Sequence, residues 1–226
     1  MTGGGGGLRC IRRQSDSNLI GSGGTPTRNQ MTATFAITFD YLCPFARNAN
    51  ESVVEGLNDG ADWNVTFRPF SLAQTKVDQG ETAVWNRELD ADGTRGVLAL
   101  RWGLAVRDGW PERFTAFHVA LFAARHEHGI DIGDGREIAK VAELAGLDPV
   151  AVAAEVASGR PMTTLATEHQ DLVSRWDAFG VPTFIMGEEA VFVRLVGRHQ
   201  PSEIDRIAEL LEWSNLNEFK RTRIPK

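Results

Sequence analysis

Cysteine is scarce: 226 residues carry only Cys10 and Cys43. Two cysteines exclude a disulfide-stapled scaffold and a zinc site built from cysteines alone. Long apolar runs are missing, and none approaches the ~20 residues that a membrane-spanning helix requires. A basic surplus is missing too. Twenty-four Lys and Arg stand against 30 Asp and Glu, and a net charge of −6 argues against a general nucleic-acid binder. What is present, 42% hydrophobic and 24% charged residues, is the composition of an ordinary globular protein. At ~150 residues per domain, the length suggests one large domain or a small one carrying an insertion.

Residues 1–30 stand apart. They hold eight of the 23 glycines, and Arg9, Arg12, Arg13 and Arg28 against Asp16 give +3, which leaves −9 for the rest. No apolar segment succeeds the basic residues, so neither a secretory signal nor a twin-arginine address is formed. The expectation is a flexible leader, with the domain opening at Met31.

Beyond Met31 the pattern changes. Phe35, Ile37 and Phe39 alternate in a core strand. Cys43-Pro44 comes next, and proline suits a first helical turn, where its missing N–H costs nothing. Phe45, Ala49, Val53 and Leu57 then mark one face of a helix that closes at Asn58-Asp59-Gly60, and residues 63–67 alternate as a second strand. Strand, helix and strand at this spacing predict a parallel, right-handed βαβ unit. Helical spacing continues over 83–91, 94–107, 112–128, 136–145, 149–158 and 162–178, with Gly180 as C′ glycine. Residues 182–186 and 191–196 read as a hairpin around Gly187-Glu188-Glu189, and Gln200-Pro201 opens a last amphipathic helix. Lys220-Arg221-Thr222-Arg223 reads as solvated tail. The order predicts an α/β fold: a four-stranded mixed sheet of thioredoxin type with a helical insertion at about 72–165, in a domain over 31–213 with a tail at 214–226.

Cys43 falls between a strand end and a helix N-terminus, where free backbone N–H groups favour negative charge. Such a position lowers a cysteine pKa from ~8.5 to roughly 3.5–7.5, so an acidic thiol is expected. A buried, inert cysteine packing as a small hydrophobe is the alternative. The second feature is Gly180-Val181-Pro182-Thr183-Phe184, a proline directly before a strand.

The pair Phe39-Asp40-Tyr41-Leu42-Cys43-Pro44-Phe45-Ala46 and Gly180-Val181-Pro182-Thr183-Phe184 resembles the DsbA-like branch of the thioredoxin superfamily. The resemblance implies a cis Pro182 facing Cys43, with Cys43 as catalytic nucleophile and Pro44, Phe45, Val181 and Pro182 at the substrate. The redox members carry Cys-x-x-Cys, whereas position 46 here is alanine. A dithiol mechanism needs a resolving thiol. The branch also includes one-thiol relatives, the kappa-class glutathione transferases and 2-hydroxychromene-2-carboxylate isomerases, which activate the thiol of a bound small cofactor. The resemblance to the DsbA-like branch implies a thiol-dependent oxidoreductase of the single-cysteine type without a tightly bound cofactor, using mycothiol or glutathione as co-substrate. The alternatives are a thiol-dependent transferase or isomerase, and a non-catalytic binding protein. Twenty arginines against four lysines, with 25 alanines, fit a GC-rich, actinobacterial source.

Other candidates are weaker. His126-Glu127-His128 places two histidines at i and i+2, which point apart on a helix, so no metal site is expected. His118 reads as a core or domain-interface histidine. Arg47, Arg68 and Arg101 are candidates for a cofactor's carboxylates, although surface or capping roles suit them better. Trp102 and Trp110 read as core, with a cleft-lining role as the alternative, and Glu188-Glu189 as a solvated turn. The expected partners are a small-molecule thiol and a small substrate. Neither nucleic acid nor membrane is among them, a homodimer is left open, and the expected location is the cytoplasm.

Overall fold

The computed structural model describes residues 1–2, 32–88 and 94–216. The chain divides into two units, Met1–Gln30 and Met31–Lys226, of which the second carries every element of the fold. The leader, Cys10 and the basic tail lie outside the described residues.

Strand β1 (Ala33–Phe39) is the centre of the sheet. It pairs in parallel with β2 (Trp63–Pro69), so that Phe35 lies beside Val65 and Ile37 beside Phe67. On its other edge β1 meets β3 (Thr183–Met186) antiparallel, and β3 turns back on β4 (Glu189–Phe192). The order is β2-β1-β3-β4. Phe35, Ile37 and Phe39 are buried on one face of β1, while its other face carries exposed Thr34, half-buried Ala36 and buried Thr38. The hairpin's second strand opens at Glu189, earlier than the expected 191, and ends at Phe192.

Helix α1 (Pro44–Asn58) crosses from β1 to β2 and buries Ala46, Ala49 and Val53. The helical insertion comes after β2. It contains α2 (Val97–Gly109), α3 (Pro111–His126), α4 (Gly135–Leu144) and α5 (Pro149–Ala157). Asp134 and Asp148 accept from the backbone N–H groups of Arg136 and Val150, which caps α4 and α5. Helix α6 (Arg160–Trp176) packs on both α2 and β2, so the expected boundary near 165 falls inside one continuous helix. Helix α7 (Pro201–Leu211) closes the sheet by burying Ile204, Ile207 and Leu211.

Two expectations need correction. No helix forms over the described part of 83–91: only Val84–Asn86 makes a 3-10 turn, and Arg87 is extended. The Gln74 side chain accepts from the Val84 N–H and so caps this single turn, while Arg87 donates to the Thr82 carbonyl and pairs with Glu81. The left-handed residue ending α6 is Asp177, at φ 49, rather than Gly180. Asp177 and Ala178 donate to Val173 and Leu172, so the helix is already closed three residues earlier.

Candidate functional site

Cys43 is the N-cap of α1. Its sulfur accepts from the Ala46 N–H at 3.4 Å, and its thiol donates to the Val181 carbonyl at 3.6 Å. The Val181–Pro182 peptide bond is cis. The hydroxyl of Thr38 on β1 accepts from the Thr183 N–H at 2.7 Å and holds this loop against the cysteine. The two sequence features 138 residues apart therefore meet at one atom pair. Of the other expected site residues, Pro44 is exposed and Phe45 half-buried, while Val181 and Pro182 are buried. Val181 thus meets Cys43 through its backbone carbonyl.

The thiol's acidity departs from expectation. Burial pushes the Cys43 pKa up from its ordinary value, and the negative charge of Asp40 adds to this. The Ala46 and Phe45 N–H groups and the Arg194 guanidinium pull it down without prevailing. The helix N-terminus acts as foreseen, but a sulfur tucked under the proline loop loses more hydration than those dipoles return. Arg194 sits over the rings of Phe45 and Phe192, at 5.2 and 5.1 Å from their centroids.

Sequence reasoning assigned no role to Asp40. It is buried, accepts from the N–H groups of Leu42 and Leu72, and has its pKa raised to about 6 by lost hydration. Its signal is its place, an acid closing an otherwise apolar strand immediately before the cysteine loop.

His118 has a clear role. Its Nε2 lies 3.0 Å from Asn50 Oδ1 and its Nδ1 2.8 Å from Tyr41 Oη. The Asn50 amide nitrogen already donates to the carbonyls of Ala46 and Thr38, so its oxygen must accept from Nε2–H. Tyr41 then donates to Nδ1. Burial lowers the His118 pKa to about 3, in keeping with a neutral ring. One histidine of α3 therefore holds both sides of the cysteine loop, and His126 Nε2 adds a bond to the Tyr41 carbonyl.

The remaining candidates resolve into structural roles. Arg47 is buried against Glu51 and Glu127, and so is no surface arginine. Arg68 pairs with Glu168 and Asp171, and Arg101 donates to the Val156 carbonyl. Trp102 is core and Trp110 half-buried. Helix α3 ends at His126, so the two histidines do not share a helix, and Glu127 is committed to Arg47 and Arg198. Among the described residues no cluster of His, Cys, Asp and Glu could hold a metal ion, and no helix is long and apolar enough to cross a membrane.

Residues 35–206 match the DSBA-like thioredoxin domain family. The chain belongs to that family. Three solved DSBA-like folds illustrate the likeness. A 2-hydroxychromene-2-carboxylate isomerase shares 19% identity over 80% of this chain and 97% of its own, at a TM-score of 0.57. The cytosolic disulfide reductase DsbM from Pseudomonas aeruginosa, solved with GSH, shares 16% over 78% and 98%, also at 0.57. DsbA from Pseudomonas aeruginosa shares 19% over 82% and 85%, at 0.55. At these identities the likeness concerns the fold. No curated protein matches the sequence.

Proposed function

We propose that this DSBA-like protein is a thiol-dependent oxidoreductase with a single nucleophilic cysteine, Cys43, and a low-molecular-weight thiol, glutathione or mycothiol, as co-substrate in the cytoplasm. The observation that carries the reading is the position of Cys43: a partly exposed sulfur on a helix N-terminus, against a cis-proline loop, with a fully buried alanine at position 46. The solved DsbM with GSH supports a glutathione-type partner.

The thiol first releases its proton to solvent. The thiolate then attacks one sulfur of a small disulfide RSSR; the S–S bond breaks, the Cys43–S–S–R bond forms, and RS⁻ leaves. Because Ala46 offers no second sulfur, the adduct persists until an external thiolate attacks it, regenerating Cys43 and producing a new disulfide. As the adduct forms, the Val181 carbonyl loses its S–H donor and becomes available to a backbone N–H of the bound partner.

One observation favours a second reading. A thiol whose pKa is pushed up, and which already donates a hydrogen bond, is suited to stabilising a bound cofactor thiolate without attacking anything. That would be transferase or isomerase chemistry. Cys43→Ser separates the two, since a nucleophile is lost entirely while a hydrogen-bond donor is retained by serine. Incubation with an oxidised small thiol is the direct test. The expected result is a reducible one-to-one adduct at Cys43 by mass spectrometry, and an internal disulfide in its place in Ala46→Cys. An unreactive Cys43, or a Cys43→Ser variant with activity within about tenfold of the parent, overturns the proposal.

A further inference from the structure

Many arginines on the described fold are matched by an acid. Arg47 and Arg198 meet Glu51, Arg68 and Arg107 meet Glu168, and Arg160 and Arg175 meet Glu155 and Glu188. Lys76, Arg95 and Arg125 form no such pair among the described residues, and they meet in one place. The three line a cavity of about 330 Å³ whose other walls are Leu42, Leu72 and Ala73.

They come from distant parts of the chain. Lys76 belongs to a 3-10 turn after β2, Arg95 to the loop entering α2, and Arg125 to the last turn of α3. Gly96, at φ +90, brings the Arg95 loop close: a Cβ there would lie 2.8 Å from the Leu42 side chain. Leu42, one wall of the cavity, is the residue immediately before Cys43 in the chain. The nearby acid is Asp40, which attracts Lys76 electrostatically. It is buried, however, with both oxygens engaged by the Leu42 and Leu72 N–H groups, and does not extend into the cavity to pair with a cation. Three like charges around one hollow, in a chain of net charge −6, create a local positive field that an anion relieves. Guanidinium groups offer paired N–H donors of the geometry a carboxylate accepts.

We propose that this cavity holds the carboxylate group of the small molecule on which Cys43 acts, making the substrate class acidic small molecules. The part about Cys43 rests on the function proposed above; the anion site itself does not. A volume near the lower end of the ~300–1,000 Å³ typical of ligand pockets suits a small acid.

The test uses the full chain and the variant Lys76→Gln/Arg95→Gln/Arg125→Gln, with folding checked by circular dichroism. Calorimetric titration with citrate, which has no thiol, should show saturable binding to the parent and at least about tenfold weaker binding to the variant. The rate of adduct formation at Cys43, located by peptide mass spectrometry, is then compared for bis(3-carboxy-4-nitrophenyl) disulfide and uncharged dipyridyl disulfide. In each case the Cys43 thiolate attacks one sulfur, the S–S bond breaks and one arylthiolate leaves. The dicarboxylate rate should fall about tenfold in the variant while the dipyridyl rate is unchanged. Citrate binding that survives the substitutions, or dicarboxylate and dipyridyl rates that change together, overturns the acid site. Citrate binding lost in the variant, with Cys43 inert to both disulfides, supports the site and overturns the nucleophile.

Discussion

Cys43 and Asp40 lie three residues apart, and each is shaped by the same shortage of water. Lost hydration raises both pKa values, and the Asp40 charge raises that of Cys43 further. Above pH 6 Asp40 is ionised, so removing its charge should make the thiol more acidic. In Asp40→Asn, one backbone N–H keeps an acceptor and the charge is gone. Iodoacetamide alkylation of Cys43 against pH should show a lower midpoint than in the parent, with a rate at neutral pH about twofold to tenfold higher. A midpoint that stays in place or rises would show that Asp40 acts only as a hydrogen-bond acceptor.

Between elements, the contact that decides the site is that of α2 and α3 with the loop joining β1 to α1. Tyr41 is buried between these helices, with its hydroxyl on His118 and its ring 4.8 Å from that of Phe122. Gly103 of α2 faces that hydroxyl so closely that a Cβ would lie 2.5 Å from it. The glycine is there for room, since it carries ordinary helical backbone. Gly103→Ala should overpack the core and push Tyr41 off His118, costing about 2–4 kcal/mol, from about 1–3 for strain and about 1 for the hydrogen bond. Urea unfolding measures this, and a variant within about 0.5 kcal/mol of the parent would show that the core has room to spare at this contact.

At the scale of the whole molecule, stability should depend on buried histidines. Burial lowers His118 to about 3 and His169 to about 4, both below the ordinary 6.5. The unfolded chain takes up these protons near pH 6.5 while the folded protein does not. Unfolding is therefore favoured as pH falls from about 6.5 toward 4, by up to about 1.4 kcal/mol per pH unit for each histidine. Asp40 opposes them. Its folded pKa of about 6 exceeds the unfolded 3.8, so its contribution is present below 3.8 and is lost as pH rises through 6. On unfolding in this window the two histidines take up two protons and Asp40 gives up one, and His126, also lowered by burial, adds to the histidine side. Urea midpoints should be flat from pH 8 to 7 and decline below 6.5, with a shallower decline in His118→Gln. A flat profile down to pH 4.5 would refute the assignment.

Much of the fold is legible in the chain because it depends on local repetition. Alternating Phe35, Ile37 and Phe39, a Cys-Pro helix start, and Asp-Pro before α5 are signals carried by neighbouring residues, and each of these elements formed within a few positions of its expected range. Cys43 and Pro182 are legible as a pair through family resemblance. What the sequence did not show depends on surroundings. The segment at 83–91 has helical spacing, yet its described part makes only one 3-10 turn, at Val84–Asn86, and Arg87 is extended. Helix-terminal dipoles predict an acidic thiol, yet burial of the sulfur and the charge of Asp40 push its pKa up. Lys76, Arg95 and Arg125 stand far apart in sequence with nothing there to join them, and only the packing of three distant segments makes them one positive hollow. Local periodicity determines which elements form. Hydration and charge at a point in space are sums over everything nearby, and these only the tertiary structure decided.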